Sequence, residues 1–175
     1  MIQLAKRRDQ IRKISIFNGA DGLVFSAADV RSMFCTLDSS KFRISDGELS
    51  IAFLDSESMC AIHGKFLGDA TPTDVITFSG DGEMDFAGEI CVSPSAAVGN
   101  HRFLETTFSE ELSLYLVHGY LHIFGLNDAC EKETIKMRAG ENFCMALLKD
   151  TENLPNFSYD HLRSCKAQRH DYSSF

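Results

Sequence analysis

The chain has 175 residues, of which 44% are hydrophobic and 24% are charged, and this composition excludes a disordered or fibrous protein. The formal net charge of -8 at pH 7 excludes a broadly basic surface, so any contact with nucleic acid must be local. No apolar stretch is long enough for a transmembrane helix, and the charged N-terminus lacks the apolar segment of a signal peptide, which predicts a cytoplasmic protein without a membrane partner.

Apolar periodicity predicts alternating strands and helices along the first 150 residues, which we interpret as a single domain. Ser26 is expected to cap the first helix and Asp55-Ser56 to start the second, while Gly68 and Gly125 are expected to end two helices. A glycine-rich turn separates the predicted strands over 73–78 and 86–92, which could pair as a hairpin. In chain order the segments are a strand over 11–17, a helix over 27–37, a strand over 48–54, a helix over 56–66, strands over 73–78 and 86–92, and helices from 94, over 109–124 and over 130–149.

The last 25 residues, 151–175, are polar and weakly periodic, and they predict a loosely attached tail. Three basic residues in this tail could contact RNA from a flexible arm: Arg163, Lys166 and Arg169. The six cysteines are scattered without a CxxC pair, which favours reduced, mostly buried thiols over a zinc ribbon or a disulfide scaffold.

The helix over 109–124 is apolar nearly all round, which predicts that it is buried in the middle of the domain. His118 and His122 lie one turn apart on it, so their imidazoles share a face and can converge on one zinc ion. Gly119 lacks a side chain between them, which indicates a close approach of substrate or backbone. The alternative is a pair of core histidines that bind no metal.

The turn after Gly125 returns the chain towards these histidines and makes Asp128 the expected third metal ligand, with Cys130 as its competitor. Two imidazoles and one carboxylate leave a coordination position open for water, the arrangement of a catalytic rather than a structural zinc site. The sequence thus predicts a metal-dependent hydrolase whose nucleophile is a metal-bound water, and it assigns no further catalytic residue.

The segment HGYLHIFGLND (118–128) resembles the HGxLHLxGxDH signature of the YbeY family of bacterial zinc proteins. Upstream, FLGDATPTDVITF (66–78) is similar to the family segment that ends in PTDVLSF, and AGEICVS (87–93) resembles its GDIxIS strand. The three blocks occur in the family's order, and the resemblance covers about residues 45–148. It implies an α/β (α+β) fold, a small mixed sheet flanked by helices, with the metal beside it.

Two positions depart from the family pattern. The family's third histidine falls on Asp128, which is a harder and more anionic ligand, and a common arginine falls on Leu67, which removes a cation that could steady a phosphate. Gly119 also stands where HExxH proteases carry a general-base glutamate, which disfavours a peptidase.

The resemblance implies a zinc-dependent endoribonuclease with one Zn²⁺ per chain that acts in ribosomal RNA maturation, at the 3′ end of 16S rRNA, and in ribosome quality control. Its implied partners are ribosomal RNA and components of small-subunit assembly. Two alternatives stay open, a non-catalytic assembly factor stabilised by a metal and a metal hydrolase with another substrate.

Overall fold

A computed structural model describes residues 12–80, 85–104 and 106–160, without the side chains of residues 67 and 101–104. This part of the chain forms six strands and five helices. Their bounds are β1 Ile14–Asn18, β2 Leu23–Phe25, α1 Ala27–Asp38, β3 Glu48–Phe53, α2 Ser56–Leu67, β4 Val75–Ser79, β5 Phe86–Val92, α3 Pro94–Leu104, α4 Phe108–Phe124, α5 Glu131–Asp150 and β6 Phe157–Tyr159.

Four strands form a mixed sheet in the order β1-β3-β5-β4. The β1–β3 and β3–β5 pairs are parallel, while β4 is antiparallel to β5 with Val75 opposite Val92. The predicted hairpin of β4 and β5 and the expected mixed sheet are therefore confirmed. The turn that joins these two strands, residues 81–84, lies outside the described residues.

Alternate residues of the strands enter two separate cores, because successive side chains of a strand point to opposite faces. On one face Leu49, Ile51 and Ile90 join the larger core with the buried residues of α1, α4 and α5. On the other face Ala52 and Cys91 meet Met59 of α2 in a smaller core. Helix α4 thus lies against the sheet, between its strands and the other helices of the larger core.

Local side-chain hydrogen bonds set the helix ends where the sequence predicts them. Ser26 caps α1, Asp55 caps α2, and Gly68 ends α2 in the left-handed conformation that glycine tolerates without strain. Helix α4 begins slightly before the predicted Ser109, because Thr107 is the cap and exchanges hydrogen bonds with Glu110 in a capping box.

The predicted tail is wrong for residues 151–160. Strand β6 pairs antiparallel with β2, a three-residue strand that periodicity also missed, and Phe157 is buried in the larger core. Both strands are too short to show a period of two, and their pairing joins residues far apart in the chain. The remaining tail, residues 161–175 with its basic residues, lies outside the described part of the chain.

In the described part of the chain no helix has both the length and the apolar character needed to cross a bilayer. The five described cysteines are free thiols, but only two of them, Cys91 and Cys144, are buried, so the expectation of mostly buried thiols is wrong for the described residues. Burial raises the pKa of the Cys91 thiol to about 12 and that of Cys144 to about 11, so both are poor nucleophiles.

Candidate metal centre

Helix α4 carries the two predicted histidine ligands and is held close to the sheet at Gly119. A Cβ atom on Gly119 would lie 2.7 Å from Cγ2 of Ile90 and 3.0 Å from Cγ2 of Thr77. The sequence predicted a close approach of substrate or backbone at this position, but the close contacts are made by side chains of β5 and β4. This contact fixes the height of the histidines above the sheet.

His118 and His122 face one another across one helical turn, with 2.8 Å between their Nε2 atoms. Gly125 adopts φ 107, a left-handed value that ends α4 and reverses the chain. The turn brings Asp128 back to the helix, with its carboxylate oxygens 3.7 Å from Nε2 of His118 and 3.9 Å from Nε2 of His122. The three ligand atoms lie within 4.8 Å of one another, so the predicted trio is brought together.

The other ring nitrogen of each histidine already has a hydrogen-bond acceptor. Nδ1 of His118 lies 2.7 Å from Oε1 of Glu141, and Nδ1 of His122 lies 3.0 Å from the carbonyl oxygen of Leu126. Because a carboxylate and a carbonyl can only accept, both Nδ1 atoms carry the proton, and in neutral rings both Nε2 atoms present lone pairs.

Two lone pairs that face each other at 2.8 Å repel unless a proton or a cation lies between them. Burial, followed by the neighbouring His118, lowers the pKa of His122 from 6.5, which disfavours the proton. Two nitrogens bound to one tetrahedral zinc ion stand about 3.3 Å apart, as follows from Zn–N distances of about 2.0–2.1 Å. The observed separations of 2.8, 3.7 and 3.9 Å bracket that value, so the residues present fit a divalent metal ion.

Glu141 is a site residue that the sequence analysis missed. Its side chain is only 4% exposed, and it lies between His118 and Nη1 of Arg138, which is 2.8 Å from its Oε2. Burial raises the pKa of Glu141, but hydrogen bonds from His118 and Arg138 outweigh it, so the pKa lies below its ordinary value and the group is ionised. The carboxylate thus holds His118 in the tautomer that directs Nε2 to the metal position.

The spacing of the buried residues along α5 is a sequence signal that could have identified Glu141. The buried side chains Met137, Cys144 and Leu148 recur at helical spacing, and Glu141 falls on the same stripe. A glutamate at an otherwise apolar position is seldom buried unless it has a partner, and here that partner is a histidine on another helix.

The competing ligand Cys130 does not join the group. It is exposed at the start of α5, and among the described residues only the predicted trio forms a cluster of three or more possible ligands. Leu67, where the family pattern has arginine, ends α2, and its side chain lies outside the described part.

The arrangement can bind a divalent ion and leave it accessible. His118 and His122 are mostly buried, with side-chain exposures of 18% and 24%, whereas Asp128 is 46% exposed. Mixed imidazole and carboxylate donors suit zinc and other first-row divalent ions. The exposed carboxylate marks the side from which a substrate can reach the centre.

Comparisons with known proteins agree with this architecture. The solution structure of TM1509 from Thermotoga maritima superposes with a TM-score of 0.56 at 23% identity, over 93% of this chain and 99% of that one. Endoribonuclease YbeY of Chlamydia pneumoniae is 33% identical in an alignment of 148 residues that covers 78% of this chain and 91% of the relative. The protein of the same name from Protochlamydia amoebophila is 33% identical over 79% of this chain and 95% of its own length. The family model described as endoribonuclease YbeY matches residues 26–149, and the chain belongs to that family.

Proposed function

We propose that this protein is a metal-dependent endoribonuclease in which His118, His122 and Asp128 hold one zinc ion. The observation that carries the proposal is the pair of Nε2 atoms that lie 2.8 Å apart beside a carboxylate. A cation between them would remove the repulsion of their lone pairs. Membership of the endoribonuclease YbeY family supports RNA as the substrate. The two lines of support are independent, because one is geometric and the other comes from sequence similarity.

When bound, a divalent ion supplies Lewis-acid polarisation of a phosphodiester oxygen and lowers the pKa of a water molecule. The chain's own residues prepare the place where this happens. Glu141 keeps the proton of His118 on Nδ1, and the carbonyl of Leu126 does the same for His122. Gly119 and the sheet beneath it fix the helix, so both nitrogens keep their direction.

We place the activity in the cytoplasm, in maturation of ribosomal RNA at the 3′ end of 16S rRNA and in ribosome quality control, with small-subunit assembly components as partners. The support is the resemblance of three sequence blocks to the family. The net charge of -8 does not attract RNA at long range, so a ribosomal particle would have to supply much of the binding.

A non-catalytic assembly factor is the second candidate. Two observations favour it, the acidic net charge and Leu67 at the position of the family's arginine, where a cation could steady a phosphate. In this case the metal would stabilise the fold around Asp128 without taking part in cleavage. The two candidates differ in whether the purified protein cleaves RNA.

The test combines metal analysis with RNA cleavage by the full chain. We expect about one zinc ion per chain, and cleavage that His118→Ala and Asp128→Ala abolish. His63→Ala is the matched control, because His63 hydrogen-bonds the carbonyl of Thr71 and does not join the ligand cluster. Circular dichroism would show that each variant is folded.

The outcomes separate the candidates. Bound metal without RNA cleavage favours the assembly factor. A protein that binds far less than one metal ion per chain would refute both candidates, because both require the ion. Cleavage that survives His118→Ala and Asp128→Ala at the level of the control would show that the activity does not come from this centre.

A further inference from the structure

A cavity of about 460 Å³ lies at the carboxyl ends of the parallel strands β3 and β5. β3 ends at Phe53 just before Ser56, and β5 ends at Val92 just before Ser93. The volume lies in the range of about 300–1,000 Å³ that is typical of small-molecule sites. The cavity is lined by Ser56, Met59, Pro72, Thr73, Asp74, Ser93, Ser95, Ala96 and Asn100.

The chain leaves the two strands towards opposite faces of the sheet. After β3 it enters α2, whose Met59 belongs to the smaller core, and after β5 it enters α3, whose Ala97 belongs to the larger core. Where the chain leaves two neighbouring parallel strands towards opposite faces, a crevice opens beyond the carboxyl ends of the strands. Ligands of α/β proteins bind in such crevices. The topology thus provides an opening that side chains do not fill.

The polar lining consists of hydroxyl, carboxylate and amide groups. The hydroxyl of Ser95 lies 2.7 Å from that of Ser56 and 2.9 Å from that of Ser93, which makes a continuous row. Asp74 uses Oδ1 to accept from its neighbours Thr73 and Val75, and no hydrogen bond to its Oδ2 is formed by the described residues. A carboxylate oxygen in this position suits a ligand that donates a hydroxyl proton.

The charge of the lining decides which part of a ligand can enter. None of the nine lining residues is lysine, arginine or histidine, and Asp74 carries a negative charge. A phosphate would therefore be repelled, whereas a neutral sugar finds hydroxyl and carboxylate partners. Met59, Pro72 and Ala96 add an apolar wall against which a base can lie.

The cavity adjoins the metal centre along α4. Glu111, Tyr115, His118 and His122 lie within about 60° of one another around the helix, so they form one stripe. The Nδ2 of Asn100, a lining residue, donates to the hydroxyl of Tyr115 at 2.7 Å. Tyr115 precedes His118 by three residues, a rise of about 4.5 Å along the helix.

The other wall of the cavity also leads to the metal centre. Asp74 directly precedes Val75, whose Cγ2 lies 3.2 Å from the Cβ position of Gly119, between the two histidines. The charge of Asp74 also helps to raise the pKa of Arg138, after the larger raising effect of Glu141, the opposing effect of burial and the raising effect of Asp128. Both connections place the cavity beside the metal centre rather than on a remote surface.

We propose that this cavity binds the ribose and base of one nucleotide of an RNA strand, with Asp74 accepting a hydrogen bond from the 2′-hydroxyl. The proposal rests on the proposed endoribonuclease function and names the group that selects RNA over DNA. A deoxyribose lacks the donor and leaves the carboxylate without a partner on the ligand. The phosphate next to the bound sugar stays outside the acidic lining, on the side of the metal centre.

The test compares the binding of a short labelled RNA with that of the DNA of equal sequence by fluorescence anisotropy. It uses the full chain as purified, in incubations short enough that gel electrophoresis finds the RNA intact. We expect the wild-type protein to prefer RNA, and Asp74→Ala to reduce that preference by about tenfold or more, the effect of one hydrogen bond to a charged group. Asp69→Ala is the matched control. Asp69 lies in the same loop, accepts from the backbone N–H of Thr71, and does not line the cavity.

A second variant separates the loss of the acceptor from any misfolding that Asp74→Ala causes. Asp74→Asn keeps an oxygen for the backbone N–H of Val75 and removes the anionic acceptor, and we expect it to lose several-fold of the RNA preference. The inference is overturned if the wild-type protein binds RNA and DNA equally, or if both variants keep the wild-type preference. A protein that prefers RNA through Asp74 but neither binds metal nor cleaves would instead refute the proposed function and leave the sugar subsite standing.

Discussion

Replacement of Glu141 by alanine should weaken metal binding without unfolding the protein. The side chain is 4% exposed and accepts from Nδ1 of His118 at 2.7 Å, so little solvent screening reduces the interaction. A hydrogen bond to a charged group contributes about 1.5–3 kcal/mol. Loss of a carboxylate that orients a histidine ligand lowers metal affinity about 10–100-fold, or about 1.4–2.8 kcal/mol, and the two magnitudes agree.

Two further variants separate the charge of Glu141 from its hydrogen bond. Glu141→Gln keeps an oxygen that can accept from His118, so we expect a smaller loss of affinity, about threefold to tenfold. Arg138→Ala removes an ion pair whose cation is 65% exposed, and such pairs contribute about 0–1 kcal/mol, which corresponds to less than about fivefold. Glu57→Ala, in the first turn of α2 on the other face of the sheet, is the matched control for lost charge.

Zinc affinity would be measured by competition with a chromophoric chelator, and the protonated nitrogen of His118 by ¹⁵N NMR of the imidazole. We expect protonated Nδ1 in the wild-type protein and a mixture of tautomers in Glu141→Ala. Affinity of Glu141→Ala within twofold of the wild type, or a wild-type His118 protonated on Nε2, would refute the role assigned to the carboxylate.

Four other predictions concern the ligands, the packing and the pH response. Asp128→His restores the family's ligand, and a softer imidazole should raise the ratio of zinc to manganese affinity, measured by metal competition. Gly119→Ala should lower the free energy of unfolding by about 1–3 kcal/mol, because the added methyl group is overpacked against β5. Gly99→Ala should leave this free energy unchanged, because a Cβ at Gly99 has nothing within 4 Å. Denaturant titration of both variants measures the difference. The pKa of Glu110 is lowered to about 2, chiefly by Lys149 and then by Thr107. The stabilisation that ionised Glu110 contributes is therefore present above pH about 4.5 and is lost as pH falls towards 2. Glu110→Gln should remove about 0.5–2 kcal/mol of this acid-sensitive stability. Because burial, followed by His118, lowers the pKa of His122 from 6.5, protonation of His122 should compete with zinc only below that pH, and ¹⁵N NMR that shows a His122 pKa above 6.5 would contradict this.

Much of the fold follows from short-range patterns in the sequence. The helix ends at Ser26, Asp55, Gly68 and Gly125 depend on hydrogen bonds and backbone conformations of a few neighbouring residues, which is why sequence alone predicts them. The five longer helices and four longer strands carry enough residues for a period to be recognised. The three-residue strands β2 and β6 are too short to show a period. Because β6 pairs with β2, the folded part of the chain extends beyond the predicted boundary at residue 150.

The candidate site divides in the same way. His118 and His122 are one turn apart on a single helix, and Asp128 follows the glycine that ends it, so local geometry alone was enough to group the three residues. Glu141 reaches His118 from another helix, and Asp74 reaches the neighbourhood of Tyr115 from the loop before β4. Those approaches depend on how α5 and β4 pack against α4, and packing between distant segments leaves no fixed spacing in the chain. The sequence therefore determined the candidate ligands, while the tertiary structure decided which carboxylates lie near them.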